Sequence, residues 1–230
     1  MRWLLACVTV TLTSAAVTAA DPDKEAKLPN ELARALKQLT AADSYSFQTA
    51  PQGKKENGVE GKYQKGEPVS FKADQVEFFK KGDKLVYKQG DQWQRTKTGV
   101  ESDPLRILAP SAKVRETVLP HEELQDLAKL LTGTIDAAGA SGQPTAYTGT
   151  LTLDGCRKLL LPADQSLAKR GTIILKVDDD GNLVQYDIAI DIEGKRGNAD
   201  VKGTVSRIVK LSDIGKTKAA APDAARKALE

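Results

Sequence analysis

Apolar and polar positions follow two different rhythms along this chain. From Asn30 onward, Leu32, Ala35, Leu36 and Leu39 recur at spacings of three and four. That one-sided stripe predicts a helix over 31–40 with Asn30 as its cap. From Ser44 the period becomes two, with Tyr45 and Phe47 alternating with Ser46 and Gln48. The same rhythm runs through Val59, Gly61 and Tyr63, then Val69 and Phe71, Val76 and Phe78, Leu85 and Tyr87, and Trp93. Gly53, Asn57-Gly58, Gly66, Gly82-Asp83 and Gly90-Asp91 punctuate these runs. Short links cannot join parallel neighbours, so the pattern predicts an antiparallel meander of six strands.

Helical signals return in the middle. Ser102-Asp103-Pro104 opens a short helix over 103–109 with an apolar face of Leu105, Ile107 and Leu108. Leu119-Pro120 opens a second, over 121–131. There Glu122 and Glu123 suit the helix dipole, Leu124, Leu127, Ala128 and Leu131 form the stripe, and Gly133 stops it. Strand rhythm resumes at Ile135 and Ala137, and again at Tyr147, Gly149, Leu151 and Leu153. A helix-like insert over 155–161 ends at Pro162. Ile173, Leu175 and Val177 then lead into the turn Asp178-Asp179-Asp180-Gly181-Asn182. The next strand has the cleanest alternation: Val184, Tyr186, Ile188, Ile190 and Ile192 on one face, Gln185, Asp187, Asp191 and Glu193 on the other. Val201, Val205 and Ile208 make a last strand, and an Ala- and Lys-rich tail over 216–230 reads as loose or weakly helical.

The fold class is therefore α+β: one large curved antiparallel sheet, a half-barrel of about ten or eleven strands, closed by a few short helices. A sandwich of short strands stays open, because periodicity does not say which apolar face meets which. Each strand offers apolar side chains on one face, and the predicted helices supply little surface to cover them. Either the sheet curls on itself or a cavity remains between sheet and helices.

The chain start changes the picture of where this domain works. Trp3 to Val17 carries no charge, small residues end at Ala20, and Asp21-Pro22-Asp23-Lys24 is abruptly charged. Residues 1–20 read as an export signal, too short and too polar for a membrane span. Leu5-Ala6-Cys7 ends like a lipoprotein box, but too few residues precede it for an export core, so cleavage near Ala20 is the expectation. The mature domain spans 21–215, its location periplasmic or secreted. Cys156 is then the only mature cysteine, which excludes an internal disulfide. With 34 basic and 31 acidic residues, a formal net charge of +3, the chain lacks the concentrated charge of a nucleic-acid partner.

No catalytic constellation emerges. His121 is the only histidine and follows Pro120 at a helix start, where a solvated polar residue is ordinary. Cys156 reads as a small buried hydrophobe. The acidic run at Asp178 lacks the calcium-loop pattern, since Lys176 stands two residues before it, and it reads as a hairpin turn. Lys80, Lys81, Lys84, Lys88, Arg95 and Lys97 are spread over both strand faces and read as a solvated surface. No metal or cofactor is expected.

The element order resembles the periplasmic lipoprotein carriers of the LolA-like fold, and more closely the lipid-binding lipoproteins of the LppX and LprG type. The local likenesses are Gly58-Val59-Glu60-Gly61, Gly82-Asp83-Lys84-Leu85-Val86-Tyr87 with Trp93, Asp103-Pro104-Leu105-Arg106-Ile107-Leu108, a strand-helix-strand around Leu151 to Leu161, and Lys210-Leu211-Ser212-Asp213-Ile214-Gly215. The likeness covers roughly 30–215 and departs from the lipoprotein types in lacking a clear lipobox. It implies a half-barrel whose apolar cavity holds acyl chains in transfer, without catalysis. The candidate lining residues are Phe47, Val59, Tyr63, Phe71 and Phe78 from the first strands, Leu85, Tyr87 and Trp93 from the next, and Ile188 and Ile190 from the long strand. The same side chains could equally fill a core. The expected function is a cell-envelope carrier or chaperone for a lipid or an acylated protein, with transient membrane contact. The alternative is an envelope interaction module with a filled core.

Overall fold

A computed structural model describes residues 26–51, 58–73, 76–97, 118–160 and 162–230. The export signal with Cys7, the start at Asp21 and the expected helix at 103–109 lie outside them.

The strands form one open antiparallel sheet of eleven members in the order β6-β5-β4-β3-β2-β1-β11-β10-β9-β8-β7. The first meander is the expected one: β1 (Ser44–Pro51), β2 (Val59–Gln64), β3 (Val69–Ala73), β4 (Val76–Lys81), β5 (Lys84–Gln89) and β6 (Gln92–Lys97). Two of its turns are two-residue loops, at Gly82-Asp83 and Gly90-Asp91, where the leading glycine has φ of 60° and 59°. The second meander comprises β7 (Leu131–Ala138), β8 (Thr145–Leu151), β9 (Ala168–Val177), β10 (Leu183–Arg196) and β11 (Ala199–Ser212). Pairing of β1 with β11, Phe47 opposite Leu211, joins the two meanders into a half-barrel with β6 and β7 as its edges.

The inner face carries the main core. Helix α1 (Asn30–Ala41) lays Leu32, Ala35 and Leu39 on it, as its stripe predicts, and Tyr147 of β8 donates to Glu31 at 2.6 Å. Pro29, not Asn30, precedes the helix, and no side chain caps it. The helix expected over 121–131 is two separate turns, α2 (Pro120–Glu123) and α3 (Leu127–Leu130). Asp126 stands between them in the left-handed region at φ 61°, which breaks the stripe, and Leu131 begins β7 opposite Leu151. Helix α4 (Leu153–Leu159) starts earlier than expected because the Thr152 hydroxyl accepts from the Gly155 N–H. Leu153 is therefore an exposed helical residue, not a strand residue. On this helix Cys156 is fully buried against Gly171, and burial pushes its thiol up to about 11, so it stays protonated.

Two strand assignments shift. A bulge between Leu183 and Gln185 puts Leu183 in the core and turns Val184 toward the outer face. In β11 the inward positions are Val205, Arg207, Val209 and Leu211, while Ile208 pairs with Asp187 on the opposite face. The tail is not loose. After Gly215, whose N–H donates to Ser44, the chain crosses the outer face as a strap and ends in helix α5 (Asp223–Leu229). Ala221, Ala225 and Leu229 form a second, smaller core there with Phe79 and Val86.

Candidate functional site

The inner face brings together nine of the ten side chains singled out in the sequence. Phe47, Val59, Phe71, Phe78, Leu85, Ile188 and Ile190 are buried in the main core, with Tyr63 and Tyr87 half-buried against it. Phe71 lies opposite Phe78, and Phe78 opposite Tyr87. Trp93 is the exception. The two-residue turn before β6 sets it opposite Lys88, so it points to the outer face and packs edge-on against Phe79 at 5.4 Å.

Val59, Phe71, Phe78, Leu85 and Ile190 are at most 1 % exposed, and of these five only Phe71 borders the groove described next. The open groove, of about 1110 Å³, lies on the opposite side of the sheet. Its floor carries Ser46, Gln48, Lys62, Lys72 and Lys210, and the strap at Lys218–Ala220 forms one wall.

What sequence reasoning missed is a polar cluster in the middle of the inner face. His121 is not a solvated helix-start residue. Its Nδ1 lies 2.6 Å from the Tyr45 hydroxyl, and its ring sits 4.8 Å from that of Tyr63. Burial holds the imidazole below its ordinary value, opposed by the nearby Glu122 carboxylate, and burial raises Tyr45. Tyr45 is thus the proton donor and neutral His121 the acceptor. Beside them, Glu123 is only 4 % exposed. It accepts from the Tyr186 hydroxyl at 2.6 Å and forms an ion pair with Arg207, whose side chain is equally buried. Burial, then the Glu123 charge, raises Tyr186 well above its ordinary value, so it too stays protonated. The four-residue helix α2 is thereby fixed to β1 through His121, and to β10 and β11 through Glu123.

The acidic run after β9 is a turn: Asp178 accepts from the Asn182 N–H at 2.7 Å, and its carbonyl accepts from Gly181. Among the described residues, no group of three or more His, Cys, Asp or Glu side chains is placed to hold a metal.

Superposition on solved structures places this architecture. The crystal structure of the Mycobacterium tuberculosis lipoprotein LppX matches with a TM-score of 0.50 at 17 % identity, over 82 % of this chain and 95 % of that one. The fold is LppX-like. LprF from Mycobacterium bovis matches with a TM-score of 0.49 at 14 % identity, over 84 % of this chain and 95 % of its own. A LolA superfamily protein from Nitrosomonas europaea matches with a TM-score of 0.33 at 12 % identity, over 83 % of this chain and 93 % of its own. No family model and no curated protein matches the sequence. At these identities the likeness is one of fold, and the expectation of a half-barrel of this kind is borne out at that level.

Proposed function

We propose that this chain is a non-enzymatic carrier or chaperone of the cell envelope, which takes a lipid or a lipidated protein onto the inner face of its half-barrel. The observation that carries the reading is how the inner face is covered. The cover consists of short pieces, a 12-residue helix, two single turns of four residues and a helix of seven, broken by a left-handed residue at Asp126. Polar contacts hold several of these pieces to the sheet: Glu31 to Tyr147, His121 to Tyr45, and Glu123 to Tyr186 and Arg207.

A core that served stability alone would gain little from a buried ion pair, because apolar replacements of similar volume are usually as stable or more so. Contacts of this kind suit a cover that parts and closes again. Beneath it lies the apolar inner face of the sheet. Each buried methylene contributes about 0.8 kcal/mol, so a 16-carbon chain gains on the order of 10 kcal/mol before ordering costs.

The tight packing of Phe71, Phe78 and Leu85 favours a second reading, an envelope interaction module with a permanently filled core. Native mass spectrometry of the chain purified from its own envelope separates the two. Co-purified lipid or acylated protein is the expected result. A ligand-free mass, together with no uptake of a fluorescent fatty-acyl probe, leaves the filled-core module standing.

A further inference from the structure

The strap on the outer face borders the groove of about 1110 Å³ and is tied down along its path. Thr217 Oγ1 lies 2.9 Å from Ser46 Oγ on β1, and the Ala219 N–H donates to Gln64 Oε1 at the end of β2, also at 2.9 Å. Burial alternates here: Thr217, Ala219 and Ala221 are buried, while Lys218 and Ala220 are exposed. That is the period of an extended chain, in which successive N–H groups point to opposite sides. Those of Lys218 and Ala220 therefore face away from Gln64, on the side where both residues line the groove. Neither residue makes a backbone hydrogen bond among the described residues. The strap thus offers the groove an open strand-like edge.

The floor beside it carries a pattern of charge. One row of outward residues, Lys72, Glu60, Gln48, Lys210, Gln185 and Lys176, crosses six strands in register from β3 to β9. Six strands side by side span about 24 Å, or roughly seven extended residues. Toward β3, Glu60 and Glu77 flank Lys72 and offset its charge. At the far end Lys176 pairs with Asp187 at 3.8 Å. Between them the balance is positive. Lys62 stands opposite Ser46, Lys210 opposite Gln48, and Lys218 on the strap; no ion pair engages these three among the described residues.

We propose that the outer groove docks an extended, acidic segment of a partner protein, which lies alongside the strap and across the strands. Its carbonyls accept from the N–H groups of Lys218 and Ala220, as in strand addition, and its carboxylates meet Lys62, Lys210 and Lys218. A lipid surface of uniform negative charge has no such row of carbonyls and is repelled by Glu60 and Glu77. The inference does not depend on what the inner face holds.

The test uses a fluorescein-labelled peptide of eight alternating Glu and Ser residues with capped ends, its analogue with Gln for Glu, and phosphatidylglycerol vesicles. Anisotropy should show saturable binding of the Glu peptide, about tenfold tighter than the Gln analogue and weaker as salt rises. The chain should not co-sediment with the vesicles. Lys62→Gln/Lys210→Gln/Lys218→Gln should weaken the Glu peptide about tenfold. The control Lys37→Gln/Lys169→Gln/Lys195→Gln removes the same charge from exposed positions outside the groove, and should change affinity by less than about twofold. Ala220→Pro deletes one strap donor and should weaken binding several-fold, with unchanged Trp93 emission showing that α5 stays docked.

No binding of the Glu peptide, equal binding of the two peptides, or equal losses in the two lysine triples overturns the inference. Vesicle binding that the groove triple abolishes also overturns it, and makes the patch a membrane-facing one. So does full affinity in an Ala220→Pro chain that keeps α5 docked. If the proline instead releases α5, seen as a red shift, the lysine triples alone decide.

Discussion

Phe47 occupies the space in which a side chain on Gly61 would stand. A Cβ placed on Gly61 would lie 2.0 Å from Phe47 Cζ and 2.3 Å from Cε1. The two residues face each other across β1 and β2, and the ring is confined by Tyr45 at 6.1 Å and Phe71 at 5.9 Å. An aromatic ring over a cross-strand glycine restores apolar cover where the strand offers none.

Gly61→Ala should therefore force the Phe47 ring into occupied space and cost about 1–3 kcal/mol, read from urea unfolding. Adding Phe47→Leu should recover part of the loss, because the two sites share one volume. A change below about 0.5 kcal/mol in Gly61→Ala would show spare room around Phe47. Such room would weaken the picture of a closed inner face, while favouring a cavity already present in the empty protein.

The main strands were legible because alternation is local. Ile188 and Ile190 could be placed inward from their neighbours alone, and the structure keeps them there. The doublets Phe78-Phe79 and Leu85-Val86 held a second message that alternation does not reward. Two adjacent large apolar residues in a strand require cover on both faces, and here α5 supplies it on the outer one. The orientation of Trp93 was also legible in principle. Counting across the two-residue turn at Gly90-Asp91 puts it opposite Lys88 and so away from Tyr87.

The central cluster was not legible. Glu123 and Arg207 are 84 residues apart, and each taken alone reads as an ordinary surface charge. Only the pairing of β1 with β11 and the docking of α2 bring them together. The bulge at Val184 was hidden for a similar reason, since it depends on register with β9 and not on the residue itself.

His121 supplies a pH test of how firmly α2 is held. Its imidazole is shifted below its ordinary value of 6.5, chiefly by burial, with Glu122 opposing. Tyr45 and Tyr63 are the aromatic groups that face it from the sheet. The unfolded chain then takes up a proton at higher pH than the folded one. Stability accordingly falls as pH drops below about 6.5 and levels off once the folded imidazole is also protonated. Asp191 is likewise shifted down, by its hydrogen bond from Arg170, so its stabilising effect is lost only below 3.8, in a separate window. Thermal unfolding from pH 7.5 to 5 should show the first loss in the wild type, and a flatter profile in His121→Asn, which keeps an acceptor for Tyr45. Identical profiles would mean that His121 titrates alike in both states and that its contact with Tyr45 does not hold α2.

The two faces of the sheet make a last prediction, because α5 and the inner face share strands but not contacts. Ala225 is fully buried where α5 packs over Phe79 and Val86, with Trp93 alongside. Ala225→Glu puts a carboxylate against two apolar side chains with no partner for it, so the helix should leave the sheet. Since α5 is terminal, the loss is bounded by its own docking, about 1–3 kcal/mol. Trp93 reports the event directly. The sequence has two tryptophans, and the other, Trp3, lies in the expected export signal. Emission from the mature chain should shift to the red as the indole meets water, while affinity for an acyl probe stays within twofold of the wild type. A comparable red shift accompanied by lost probe binding would place the ligand against Trp93 on the outer face, and would move the binding surface from the inside of the half-barrel to the groove beneath the strap.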